Sequence, residues 1–121
     1  MADRKRAERR GRRAETLAAL WLTLKGYTIL ARRVRNNAGE VDLIARRKNL
    51  IAFIEVKARK THVLALEAVT ATAKRRIARA AEIWMARRAN LANCDWRFDI
   101  ITLTPRSLPK HVKDAWRPDQ P

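Results

Sequence analysis

The stretch Gly39-Glu-Val-Asp-Leu-Ile-Ala45, Arg46-Arg-Lys-Asn49, Leu50-Ile-Ala-Phe-Ile-Glu-Val-Lys57 sets two alternating apolar runs on either side of a basic segment. Val, Ile, Leu and Phe at a period of two predict strands, and the basic segment between them predicts a hairpin tip. With Lys48-Asn49 as a two-residue loop, Val41 faces Val56, Leu43 faces Ile54 and Ala45 faces Ala52, giving one apolar face. On the other face Ile44 meets Phe53, Asp42 meets Glu55 and Glu40 meets Lys57. A three-residue loop shifts every pair by one, and Lys-Asn is a weaker turn signal than Asn-Gly.

Asp42, Glu55 and Lys57 therefore interrupt strands that are otherwise apolar, and such charges cost stability unless paired or bound to an ion. Side chains directly opposite in an antiparallel pair lie roughly 4.5–5.5 Å apart at Cβ, and two carboxylates that close repel. A divalent cation between them removes the repulsion. Mg²⁺ is held by one or two carboxylates, with water and substrate phosphate completing its shell. Lys57 shares a face with Glu55 because the two are two apart on a strand. The competing reading is that these are edge-strand charges that discourage aggregation. Glu40, opposite Lys57, is expected to pair with it.

With 121 residues the chain has room for one domain. Its 28 Lys and Arg against 12 Asp and Glu give a net charge of +16, the footprint of a polyanion binder, most often nucleic acid. A single cysteine, Cys94, excludes an internal disulfide and by itself any zinc cluster. No apolar run approaches the roughly 18 residues that cross a bilayer, and no secretory pattern follows the basic N-terminus. A cytoplasmic protein with no membrane partner is expected.

Residues 1–13 hold seven Lys or Arg and read as a basic arm, mobile or helical. Residues 14–104 read as the α/β domain and 105–121 as a Pro-punctuated tail. From Arg13 to Lys25 the apolar positions Leu17, Leu20, Trp21 and Leu24 recur at helical spacing, which predicts a helix that Gly26 stops. Tyr27 to Leu30 predicts a first strand and Arg59 to Val63 a loop. Leu66 to Ala89 predicts a second helix, with Val69, Ala73, Ile77, Ala80, Ala81 and Trp84 inward. Trp96 to Leu103 predicts another strand, and Val112 to Trp116 a short element. Trp21, Trp84 and Trp96 read as core. This order predicts helices flanking a central mixed sheet, with a β-hairpin carrying the site.

Asp42 followed thirteen residues later by Glu55-x-Lys57 is the signature of the PD-(D/E)XK nuclease superfamily, although Val41 stands where the motif has Pro. Together with Ala14-Glu15, Gly26-Tyr27, Gly39 to Ala45, Phe53-Ile-Glu-Val-Lys-Ala-Arg59, Lys74 and Arg97-Phe-Asp-Ile-Ile101, it resembles the bacterial YraN family, similar in pattern to archaeal Holliday junction resolvases. The likeness covers roughly residues 11–104, and His111 to Trp116 resembles the family's ending. It implies a restriction-endonuclease-like fold and an Mg²⁺- or Mn²⁺-dependent endonuclease acting on DNA, branched DNA among its substrates. Asp42 and Glu55 are then metal ligands, with the Val56 carbonyl as a further one, and Lys57 orients water and stabilises phosphate charge. Glu15 matches a helix carboxylate that completes the site in the resolvases; it reads equally as a first-turn acid favoured by the helix dipole. A resolvase cuts two strands symmetrically, which favours a homodimer.

Arg46, Arg47 and Lys48 at the hairpin tip, Arg59, Lys74 and Arg75 are the expected nucleic-acid contacts; a solvated turn and a solvated helix face are the alternatives. Asp99 is expected to pair with Arg97, and neither His62 nor His111 has matched ligand partners. The competing function is a non-catalytic nucleic-acid-binding protein that keeps the nuclease fold.

Overall fold

The computed structural model describes residues 2–118. The elements run α1 (Ala2–Leu24), β1 (Thr28–Arg35), β2 (Glu40–Arg47), β3 (Leu50–Ala58), α2 (His62–Glu67), α3 (Ala71–Ala86), a 3-10 turn at Ala89–Leu91, β4 (Asp95–Leu103) and β5 (Lys110–Trp116). The five strands form one mixed sheet in sequence order. β3 and β4 are parallel, and the other neighbours are antiparallel. Only the parallel pair needs a crossover, and α2 with α3 supplies it.

Both faces of the sheet are covered. Leu43, Ala45, Ala52, Ile54 and Val56 pack with Ala14, Ala18, Ala19 and Leu22 of α1. Val41, Ile44, Ile51, Phe53 and Phe98 pack with Ile77, Ala80, Ala81, Trp84 and Met85 of α3. The helical stripe expected on α1 is reversed: Leu17, Leu20 and Leu24 are exposed, Trp21 is half-buried, and the alanine side faces the sheet. Small side chains let a helix backbone approach a sheet closely, so the leucine spacing marked the wrong face.

The hairpin turns at Lys48-Asn49, with Lys48 in the left-handed region at φ 56°. Leu43 pairs with Ile54, Ile44 with Phe53 and Ala45 with Ala52, as the alternation requires. The ladder ends there, so the expected pairs Asp42–Glu55, Val41–Val56 and Glu40–Lys57 are not regular ladder pairs. Val41 and Leu43, two apart, pack on opposite faces of the sheet. The alternation therefore slips by one residue at Asp42.

Three other expectations change. The long second helix is two, divided at Thr70, whose hydroxyl caps α3 by accepting from the Ala73 N–H at 3.1 Å. Thr61 caps α2 in the same way through the Leu64 N–H. The first strand runs to Arg35. Residues 110–116 are a sheet strand, so the α/β domain does not stop at 104. No helix among the described residues is long and apolar enough to cross a membrane.

Asp99 is fully buried in β4 and does pair with Arg97, at 2.7 and 2.8 Å. It also accepts from His111 Nε2 at 2.7 Å and from the Asp114 N–H at 3.0 Å. Lys25 donates to His111 Nδ1 at 2.9 Å, which leaves Nε2 as the protonated nitrogen facing Asp99. Arg97 reaches the Tyr27 hydroxyl at 2.7 Å, closing the network onto the connection between α1 and β1. Burial pushes the Asp99 carboxyl up, but the hydrogen bonds from His111, Arg97 and Asp114 outweigh it and hold it below the usual range. Asp99→Asn removes the charge that four hydrogen bonds are made to and should cost at least roughly 1.5–3 kcal/mol, the scale of one such bond, measured by urea unfolding. The depressed carboxyl makes this contribution full above the unfolded pKa and lost as pH falls through the folded one. The variant's acid limb should therefore be shallower than the wild type's.

Candidate active site

Asp42 is placed by what precedes it. The turn from Asn36 to Gly39 is closed by two backbone hydrogen bonds, 3.0 and 3.2 Å. Asn36 Nδ2 ties it to the Ala80 carbonyl of α3 at 3.2 Å. A side chain on Gly39 would meet Arg76 Cβ at 3.1 Å and the Arg76 carbonyl oxygen at 3.3 Å, so only glycine lets β2 start this close to α3. Three residues on, Asp42 leaves the ladder, and its Oδ2 accepts the Val56 N–H at 2.8 Å. The side chain thus takes a backbone group from β3 where regular pairing has stopped.

Arg33 of β1 lies opposite Asp42 in an unbroken stretch of the β1–β2 register. Arg32 pairs with Leu43 and Val34 with Val41, and between them Arg33 sits at φ 51°. A non-glycine residue held there costs of order 1–3 kcal/mol and persists only where its surroundings enforce it. Arg33 Nε donates to both oxygens of Glu15, at 2.8 and 3.1 Å, and the hydrogen bond to Glu15 raises its pKa further. Glu15, buried in α1, faces the cleft, but its carboxylate is committed to Arg33.

Glu55 is buried against Asp42. Burial, then the hydrogen bond to Asp42 and the Asp42 charge, push its carboxyl up to about 9, against a smaller downward pull from Lys57. Two acids meet here, and Glu55 keeps its proton at neutral pH. Half-buried Lys57 has Thr102 of β4 as its register partner. The Thr102 hydroxyl in turn bonds His62 Nδ1, which gives that histidine a structural role. Glu40 does not pair with Lys57; it pairs with Arg35 across β1 at 3.3 Å.

Glu15, Asp42, Val56 and Lys57 line one cleft of about 840 Å³. Glu55 is not on its wall. The cleft is edged by Arg10, Arg13, Arg59 and Lys60. Arg10 and Arg13 come from the basic arm, which is continuous with α1 instead of a separate region. The hairpin tip lies elsewhere: Arg47 is five residues along β2 from Asp42, roughly 17 Å. Arg46 folds onto the Lys48 carbonyl, and Arg47 lies over the Tyr27 ring at 5.8 Å. Of the expected nucleic-acid contacts, only Arg59 lines this cleft. Arg75 is exposed on α3 beside Thr72, and Lys74 lies against Trp116.

The donors gathered around Asp42 are hard oxygens, which suit Mg²⁺ or Mn²⁺ better than a thiophilic ion. Among the described residues no three His, Cys, Asp or Glu side chains cluster for a metal. Two carboxylates are enough for an ion that keeps most of its shell as water and phosphate. Buried Glu55 against half-buried Asp42, its carboxyl pushed up by burial and by the Asp42 charge, fits that role.

The profile of Uncharacterised protein family UPF0102 matches residues 14–103. A UPF0102 protein of Paramagnetospirillum magneticum is 53% identical over 117 residues, covering 93% of this chain and 91% of its own. One from Agrobacterium fabrum is 52% identical over 113 residues, 93% of each chain. One from Maricaulis maris is 47% identical over 115 residues, 95% of this chain and 91% of its own. These names carry no activity.

Proposed function

From a chain that belongs to the UPF0102 family, we propose a metal-dependent endonuclease of restriction-endonuclease-like type that hydrolyses DNA phosphodiesters, branched DNA among them. The observation that carries this reading is buried Glu55 set against half-buried Asp42, with Glu55 raised to about 9, beside a cleft rimmed by arginine and lysine.

Asp42 and Glu55 would hold the ion, with the Val56 carbonyl as a further ligand. When bound, Mg²⁺ or Mn²⁺ supplies Lewis acidity toward a phosphoryl oxygen. Asp42 is oriented for this by the Val56 N–H, which fixes its Oδ2. Lys57 presents a half-buried ammonium beside the pair, suited to orienting a water and stabilising charge on the phosphate as it becomes pentacoordinate. Arg10, Arg13, Arg59 and Lys60 would grip backbone phosphates, so affinity should fall steeply with salt. No helix-turn-helix or zinc module offers base reading, which favours recognition of DNA by shape.

The test is cleavage of branched, single-stranded and duplex DNA with Mg²⁺ or Mn²⁺, and with chelator. Metal-dependent cleavage of at least one form supports the proposal. Tight, salt-sensitive binding with no cleavage on any form favours the second reading, a non-catalytic nucleic-acid binder. One observation favours that alternative: Arg33 already holds Glu15, so among the described residues two carboxylates converge, Asp42 and Glu55.

A further inference from the structure

A second cleft, of about 580 Å³, opens on the α3 side of the sheet. It begins beside Leu50 at the start of β3, whereas the Asp42 cleft lies beside Val56 to Ala58 near that strand's end. Six to eight strand residues separate them, roughly 20–25 Å. Trp96, Phe98 and Trp116 wall the second cleft, and Glu82 and Asp114 edge it.

The aromatic wall is rigid. Phe98 stacks on Phe53 at 5.5 Å and leans on Trp116 at 5.3 Å, while Trp96 rests on Phe53 at 5.6 Å. Trp96, expected in the core, is instead 40% exposed, so much of a large ring is open to a partner. The Trp116 indole N–H is buried with no acceptor among the described residues. The Lys74 ammonium lies 5.9 Å from the Trp116 ring centroid. Asp114 is neutralised by Arg117 at 2.8 Å, which leaves Glu82 as the acceptor on the rim.

The exposed Trp96 ring, a carboxylate acceptor and a neighbouring cation suit a planar heterocycle that carries a donor and is tethered to phosphate. We propose that this cleft stacks an unpaired nucleobase of the strand whose backbone the Arg10–Arg59 cleft holds, an inference that rests on the nucleic-acid reading above. A base inside a duplex has both faces covered by its neighbours and cannot use the site. Glu82 further favours a base with an exocyclic amine, such as cytosine, over thymine.

Binding of labelled oligo-dC, oligo-dT and a blunt duplex is measured by anisotropy in chelator, so that nothing is cut. Trp96→Ala should weaken oligo-dC about tenfold, the scale of one lost stacking contact, with duplex affinity within about twofold. Trp96→Phe should restore most of the loss, and Glu82→Gln should narrow the dC-over-dT preference. Unchanged oligo-dC affinity in Trp96→Ala, or an equal loss on duplex, overturns the proposal. If the wild-type protein binds neither single strands nor duplex, the nucleic-acid reading itself fails.

Discussion

Lys57→Ala should lower metal-dependent DNA cleavage by roughly a thousandfold, the scale seen when a preorganised group that stabilises transition-state charge is removed. DNA affinity should move little, because Arg10, Arg13, Arg59 and Lys60 remain at the cleft. The side chain has a second electrostatic role that the experiment must separate. Lys57 pulls the Glu55 carboxyl down, so its loss leaves Glu55 still harder to ionise and weakens metal binding at neutral pH. Cleavage must therefore be compared at saturating Mg²⁺, with affinity measured by calorimetry. A deficit that disappears at saturation assigns Lys57 to metal affinity alone. A deficit that persists assigns it to the chemical step. Full activity in the variant without added metal removes Lys57 from the mechanism. Lys57→Arg keeps the charge, but a planar guanidinium lacks the compact, rotatable ammonium, and little rescue is expected.

The hairpin was legible because its signals are local. Alternation fixed Leu43 opposite Ile54 and Ala45 opposite Ala52, and the turn fell at Lys48-Asn49. The slip at Asp42 was not legible, and neither was Arg33 opposite it at φ 51°. Arginine gives no warning of that conformation, as glycine or asparagine would. The Glu15–Arg33 contact that accompanies it joins residues eighteen apart on different elements. The α1 face was misread for a different reason: periodicity locates a stripe but not its depth, and alanine next to a sheet can outcompete leucine. Thr70 shows that a capping hydroxyl can divide what apolar spacing reads as one helix. The site's basic rim was hidden as well, because only a continuous α1 carries Arg10 and Arg13 from the arm to Asp42. The hairpin's own length placed Arg46 to Lys48 away from the acids. What survived from motif to structure was the meeting of Asp42 with Glu55, and it survived through a side-chain contact, not through the ladder.

That meeting predicts an alkaline limb in the stability of the metal-free protein. Glu55 rises from 4.5 to about 9 on folding, so between those values the native state holds a proton that the unfolded chain has released. Stability then falls as pH rises through the window, by at most about 1.4 kcal/mol per pH unit. The penalty is absent below the lower value and complete above the upper one. Asp99 acts in the opposite sense on the acid side, so the protein should be most stable at mildly acidic pH. Glu55→Gln removes the titration. It should flatten the alkaline limb and raise the Tm at pH 8.5 by roughly 4 °C for each kcal/mol relieved. Asp42→Asn removes the neighbouring charge but not the burial of Glu55, so it should flatten the limb only in part. Mg²⁺ should offset the same penalty by displacing the proton, raising the wild-type Tm more at pH 8.5 than at pH 6. Neither variant should respond to Mg²⁺ to that extent, because each lacks one of the two carboxylates. A wild-type Tm that is flat from pH 6 to 9 and indifferent to Mg²⁺ would mean that the two acids do not share a proton. A Glu55→Gln protein that still gains the full Mg²⁺ stabilisation would place the ion elsewhere.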